Sequence, residues 1–147
     1  MGTEMTFNTI PTLINRNVML YPDRVAIKEV EGNREYSFTD VKDRANRMGN
    51  ALYGLGLKKG DRVAILSQNS VEYTEASFYV PNAGFIFVVC NFRLAAPEML
   101  AVLTDSEPTA LIVQDQFVGM AQQLKDSVPS AKHFIYFGAP DKKPEGW

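Results

Sequence analysis

The chain has 147 residues, the size of one ordinary domain and enough to bury a real core. Its 46% hydrophobic content and formal net charge of −2 exclude a disordered tail and give no basic footprint for nucleic acid. A single cysteine, Cys90, excludes an internal disulfide framework, so the expected location is cytoplasmic, with peripheral contact to a membrane left open.

Residues 1–8 are expected to be a flexible leader. Met1 to Leu20 lacks the basic start and continuous apolar stretch of a secretory signal. Met1-Gly2-Thr3-Glu4-Met5-Thr6 fits the short myristoylation pattern, yet no basic second signal follows to make such an anchor hold. The longest apolar run, Phe85 to Cys90, is too short to span a bilayer, so no transmembrane segment is expected.

Thr9 to Leu20 reads as a helix, with Thr9 as cap, Pro11 in the first turn, and Leu13, Ile14, Asn17, Val18 and Tyr21 at helical spacing. Arg24 to Val30 alternates as a strand, Glu31-Gly32-Asn33 turns it, and Arg34 to Tyr36 returns as the second arm of a hairpin. Ser37 or Thr39 caps the next helix, and Ser37 with Asp40 approximates a capping box. Phe38, Val41, Ala45, Met48, Leu52 and Leu55 form its apolar stripe, which Gly54 and Gly56 close.

A regular rhythm follows. Arg62 to Leu66 is a strand, and Asn69 caps a helix that ends at about Val80, before Pro81 and Gly84. Phe85 to Cys90 reads as a buried strand, Pro97 to Asp105 as a short helix, and Thr109 to Val113 as a strand. Asp115 to Val128 reads as one helix and His133 to Phe137 as the last strand. Strands separated by helices imply parallel crossovers. The expected fold is therefore α/β, a layered open sheet of mostly parallel strands with helices on both faces, plus an N-terminal helix and β-hairpin. Residues 139–147 read as a loop or truncated linker.

Few residues carry chemistry on their own. Gly54, Gly56 and Gly60 look superficially like a dinucleotide fingerprint, but they follow a helix and precede a strand, the reverse of a phosphate-binding loop. His133, the lone histidine, has no acid or nucleophile at useful spacing and reads as an ordinary strand residue unless the fold supplies a partner. Cys90 reads as a buried, inert thiol. One cysteine and one histidine do not assemble a zinc site. The acidic pairs Asp40 with Asp43, and Glu72 with Glu75, sit near helix N-termini, where the dipole favours them. Tyr73, Phe78, Tyr79, Phe85, Phe87 and Phe92 either fill the core or line an apolar pocket. Arg93 directly follows an apolar strand, at the carboxyl edge where open α/β sheets place ligands, and it either meets a ligand or ties down a loop.

Five blocks in order carry a resemblance. Phe38-Thr-Asp-Val41 resembles the Tyr-x-Glu-Leu start near the N-terminus of adenylate-forming enzymes. Gly56-Leu-Lys-Lys-Gly-Asp-Arg-Val63, then Asn69 and Glu72, resembles their Gly-(Val/Leu)-x-x-Gly-Asp-x-Val and Asn-x-x-Glu block. Ala83 to Glu98 is similar to their Gly-Ala-x-x-x-Pro-x-Asn-x-Arg-Leu-x-x-x-Glu segment, with Cys90 and Phe92 where the family often has proline. Thr109 to Val113 and Ala131 to Tyr136 fit the two strands that follow. Within that superfamily the chain looks most like the medium- and long-chain fatty acid CoA ligases.

The resemblance implies an enzyme that activates a carboxylic acid with ATP and Mg2+ to an acyl-adenylate and transfers it to coenzyme A. It also implies that residues 9–138 are the N-terminal part of the large adenylation domain. The family's phosphate loop, adenine- and magnesium-meeting segment, ribose aspartate and C-terminal lysine have no match here. No catalytic, cofactor-binding or metal residue is therefore carried over, and this chain alone is expected to be inactive, with no cofactor bound. Its expected partners are the remainder of a longer chain and, through uncovered apolar surface and strand edges, further copies of itself. Two other readings stay open: a stand-alone, non-catalytic α/β binding or interaction domain, and an unrelated α/β enzyme with a site assembled from His133 and Arg93.

Overall fold

The structure, a computed structural model, describes residues 9–30 and 32–147. The expected leader, residues 1–8, lies outside the described residues, as does Glu31 of the hairpin turn.

Helix α1 spans Ile10–Leu20, and Thr9 caps it by accepting the Thr12 amide at 3.3 Å. Strands β1 (Val25–Glu29) and β2 (Arg34–Ser37) pair antiparallel, with a register shift between Val25 and Ile27. Helix α2 spans Phe38–Gly54 and opens on a complete capping box. Asp40 accepts the Ser37 amide at 2.9 Å, and Ser37 Oγ accepts the Asp40 amide at 3.1 Å. Both orphan donors of the first turn are thus satisfied reciprocally.

The remaining elements build the main sheet. They are β3 (Arg62–Leu66), α3 (Val71–Asn82), β4 (Ile86–Cys90), α4 (Ala96–Ser106), β5 (Ala110–Gln114), α5 (Val118–Leu124) and β6 (His133–Phe137). All four strands run parallel in the order β4-β3-β5-β6. Strand alternation divides the core into two layers. Val63, Ile65, Ala110 and Ile112 face α2 and α3, packing with Ala45, Leu52, Ala76 and Val80. Ala64, Leu66, Leu111 and Val113 face α4 and α5, packing with Met99, Leu103, Ala121 and Leu124. Helices cover both faces, and the hairpin with α1 packs beside α2 and α3. The expected fold class holds throughout.

Several local readings need correction. Ser70, not Asn69, caps α3, because its hydroxyl is the one that accepts the Tyr73 amide, at 3.0 Å. The helix also carries Pro81 inside its last turn and reaches Asn82. β4 is an edge strand rather than a fully buried one, leaving Ile86 53% and Val89 49% exposed. The single helix expected over Asp115–Val128 is a 3-10 turn at Asp115–Phe117, then α5, then a second 3-10 turn at Lys125–Ser127. Pro129 explains the tightened end, since a residue before proline is driven out of the α region, and Val128 sits at φ −122°, ψ 76°.

Arg62 ties the start of β3 to the end of α4. Its guanidinium donates to the Ser106 carbonyl at 2.9 Å and the Glu107 carbonyl at 2.7 Å, placing a cation at a helix C-terminus. The segment from Ala139 makes a 3-10 turn at Pro140–Lys142 and folds back, so that Trp147 packs at a tilt on Phe134 with ring centroids 5.2 Å apart. No described helix is long and apolar enough to cross a membrane.

Candidate functional site

Chain order places the crevice. From β3 the chain moves to β4 on one side; from β4 it crosses back to β5 on the other. The strand order reverses between β3 and β5, and open α/β sheets bind ligands at the carboxyl ends of such strands.

Those two ends are joined by a polar cluster. Ser67, 2% exposed, follows β3, and Gln114 ends β5. The Ser67 hydroxyl donates to the Gln68 carbonyl at 2.6 Å and lies 3.1 Å from Gln114 Oε1. The same amide oxygen accepts the Gln68 backbone N–H at 2.9 Å and Gln116 Nε2 at 3.2 Å. The cluster is neutral and internally satisfied. It holds the mouth of the crevice in shape and offers hydrogen-bonding groups, but no acid, base or nucleophile pair.

Beside it, β4 leads into Asn91-Phe92-Arg93. Asn91 Oδ1 accepts the Arg93 amide at 3.1 Å, and the Arg93 guanidinium lies 4.9 Å over the Phe92 ring. Phe92 in turn packs on Phe117 at 5.8 Å. Arg93 is exposed and makes no ion pair among the described residues, so its charge remains available to an anion at this edge.

The other candidates are dispersed. His133 begins β6 and pairs in register with Ala110 at the amino end of the sheet. Four strand residues, about 13 Å, separate that end from the carboxyl edge. His133 and Arg93 are therefore not brought together, and the site assembled from them is not formed. Cys90 is 1% exposed, and burial pushes its thiol up to about 12, which makes it inert. Gly56 and Gly60, with φ near +90°, form the turn from α2 into β3.

The aromatic residues do not line one pocket. Tyr79 and Phe85 are core, and Tyr73 and Phe87 pack against that core and meet each other edge to face at 6.3 Å. Phe78 instead borders an apolar cavity of about 210 Å³, with Leu13, Ile14 and Val41, between α1, α2 and α3. The acidic pairs also divide. Asp40 is a cap, and its hydrogen bonds from Ser37 hold the carboxyl below the usual range. Glu72 bonds Arg34 at 3.0 Å, and Glu75, 7% exposed, receives Arg44 in a two-pronged pair, so these two bind cations rather than the helix end.

Among the described residues, no three His, Cys, Asp or Glu side chains are grouped to hold a metal. The residues present do not fit a magnesium site, and none is assigned to one.

The polar cluster escaped sequence reading because a serine and a glutamine 47 residues apart form no motif. The available signal was positional: each directly follows an apolar strand run.

Comparison with known proteins gives one consistent answer. A model of the family described as "AMP-binding enzyme" matches residues 14–145. The chain is 31% identical over 134 residues to an indoleacetate–CoA ligase of Aromatoleum aromaticum, covering 91% of this chain and 25% of that protein. It is also 31% identical over 140 residues to a salicyl-AMP ligase / salicyl-S-ArCP synthetase of Mycobacterium tuberculosis, covering 90% and 25%. Among solved structures, a fatty acyl CoA synthetase of M. tuberculosis superposes with a TM-score of 0.82 at 27% identity, covering 87% of this chain and 26% of that one. The chain thus spans about a quarter of the length of these relatives.

Proposed function

This chain belongs to the AMP-binding enzyme family, and from that premise we propose that it is the N-terminal part of an acid-activating ligase. The whole protein converts a carboxylic acid, a fatty acid in our reading, to an acyl-adenylate with ATP and Mg2+, then transfers the acyl group to coenzyme A. Residues 9–138 contribute to its large adenylation domain, and 139–147 form a loop leading onward. The protein works in the cytoplasm.

The observation that carries this reading is the family match across residues 14–145, supported by relatives that are ligases of organic acids. Those relatives take different acids, so the fatty-acid assignment rests on the blocks between Phe38 and Glu98. The geometry supports a framework role. The switch-point crevice is floored by Ser67, Gln68 and Gln114, which hold shape without supplying a reacting group. Arg93 beside it is placed to meet an anionic group such as a phosphate. The phosphate clamps that offset transition-state charge come from chain outside these residues.

Acid-dependent ATP–pyrophosphate exchange tests the reading. The 147-residue chain, purified free of host ligases, is expected to give no exchange with any acid. A longer product with the remaining length of its relatives is expected to exchange with medium- or long-chain fatty acids. Exchange by the short chain alone overturns the framework role. A longer product that accepts only aromatic acids overturns the substrate assignment.

A further inference from the structure

We propose that Gln114 is a specificity-determining residue: its amide oxygen is locked into the floor of the switch-point crevice, and its amide nitrogen donates to an anionic oxygen of a bound substrate. This rests on the ligase reading.

The ladder places the residue. Leu66 of β3 pairs with Val113 of β5, so Ser67 and Gln114 stand side by side one step past that rung. There the Gln68 backbone N–H donates to Gln114 Oε1 at 2.9 Å, and Gln116 Nε2 donates to it at 3.2 Å. A backbone N–H can only donate, so the atom facing it is the amide oxygen and the nitrogen lies on the other side. Gln114 Nε2 has no acceptor among the described residues. No buried side-chain nitrogen or oxygen among them lacks a partner, so this nitrogen is reached by solvent. Its two hydrogens are thus held ready at the carboxyl edge of the sheet, on a side chain that cannot turn away without breaking its other bonds.

Charge explains why an amide stands here. A carboxylate would accept the same two N–H groups more strongly. For holding the loop alone, glutamate would serve better than glutamine. What only the amide adds is neutrality and a donor, and both suit an anionic oxygen that a carboxylate would repel. The surroundings agree. Arg93 stands at the same edge, exposed and without an ion pair among the described residues. Packing of Phe92 on Phe117 joins its loop to the turn after β5. The neighbouring Asp115 carboxylate is occupied, accepting the Gln116 amide at 2.7 Å and lying 3.9 Å from Lys142 Nζ. The acid, ATP and coenzyme A all carry anionic oxygens, and kinetics with each in turn identifies which one Gln114 meets.

The test compares Gln114→Glu and Gln114→Leu in a longer product with the remaining length of its relatives. Gln114→Glu keeps an oxygen for both N–H groups and exchanges the donor for a charge. It is expected to leave Tm unchanged and to raise KM at least about tenfold for one of the three anionic substrates, with kcat little changed. That rise is expected to shrink as pH is lowered from about 8 to about 5.5, because a carboxyl beside an anion begins to protonate there and regains a donor. Gln114→Leu loses the anchor and is expected to lower Tm. Unchanged KM values in Gln114→Glu overturn the proposal, as does a KM rise that ignores pH. A fall in Tm equal to that of Gln114→Leu overturns it whatever the kinetics, because the nitrogen then serves the fold and its acceptor is chain rather than substrate. A wild-type product inactive with every acid overturns the ligase reading itself, whereas an active wild type with an indistinguishable Gln114→Glu overturns this inference alone.

Discussion

Glu75 shows how much one residue's environment departs from its sequence neighbourhood. Its position near the start of α3 suggests a dipole partner, yet the fold buries it against α2, where it receives both prongs of Arg44. The Arg44 guanidinium also lies 4.9 Å over the Tyr36 ring, and Glu75 raises its pKa further above an already high value. Replacing Glu75 by Leu strands a partly buried cation, at a cost of about 2 kcal/mol after discounting for the solvent that still reaches Arg44. The double change Glu75→Leu with Arg44→Met is expected to recover most of that loss in urea denaturation. Full additivity of the two single losses refutes the pairing. Cys90 gives a pH signature. Burial pushes its thiol up to about 12, above an unfolded value of about 8.5, so folding favours the neutral form. The resulting contribution is fully present below the unfolded value and is lost as pH rises toward the folded one. The stability difference between wild type and Cys90→Ala is therefore expected to shrink between pH 8 and pH 11, and a thiol reagent is expected to label Cys90 only on unfolding. At this scale the sequence was partly legible. The Ser37–Asp40 cap could be read because both partners are adjacent, whereas choosing Ser70 over Asn69 required knowing which hydroxyl or amide meets Tyr73.

Elements could be read wherever a local pattern decides them and misread wherever a neighbour does. β3 and β6 have their expected bounds because turn residues or a change of pattern flank both apolar runs. β4 looked buried because a run of apolar residues reads alike at the centre and at the edge of a sheet, and only strand order separates the two. The helix after β5 broke into three pieces because its two ends obey Asp115 and Pro129 rather than its helical middle. Helix packing gives a sharper test on α2, which carries two glycines with opposite roles. A Cβ at Gly49 would lie 2.9 Å from the Ala83 Cβ, so this glycine sets the close approach of α2 and the end of α3. A Cβ at Gly54 would meet nothing within 4 Å. Alanine at Gly54 is therefore expected to stabilise by about 0.5 kcal/mol through the unfolded chain. At Gly49 a similar gain is offset by crowding, and leucine there is expected to cost about 3 kcal/mol. Thermal denaturation of the four variants, alanine and leucine at each position, checks the order. Equal effects of leucine at Gly49 and Gly54 refute the close-approach role.

The described residues form a two-faced layer whose sides are covered and whose sheet ends at β4 and β6. Its layered character was legible because strand and helix periods alternate along the chain. The crevice was not, because it depends on β5 inserting beside β3, a fact of topology that places Ser67 next to Gln114. Among the described residues, the same topology leaves β4 and β6 as the two edges of the sheet, and they differ in chemistry. β6 is flanked by lysines, which discourage like pairing between identical copies. β4 exposes Ile86 and Val89, and nothing charged lies within the strand. An exposed apolar edge is a template for a second strand, and two copies related by a two-fold axis bring their β4 edges together antiparallel. We expect this chain to self-associate in that way, with molar mass rising with concentration in light scattering. Ile86→Lys with Val89→Lys places two charges on each edge and is expected to weaken association at least about tenfold, or about 1.4 kcal/mol. Reversing Lys125 and Lys132 at the other edge is expected to leave this association unchanged. If the β6 variants weaken it and the β4 variants do not, the copies meet at β6 instead. A strictly monomeric wild type refutes self-association altogether and leaves the apolar β4 edge to a different partner.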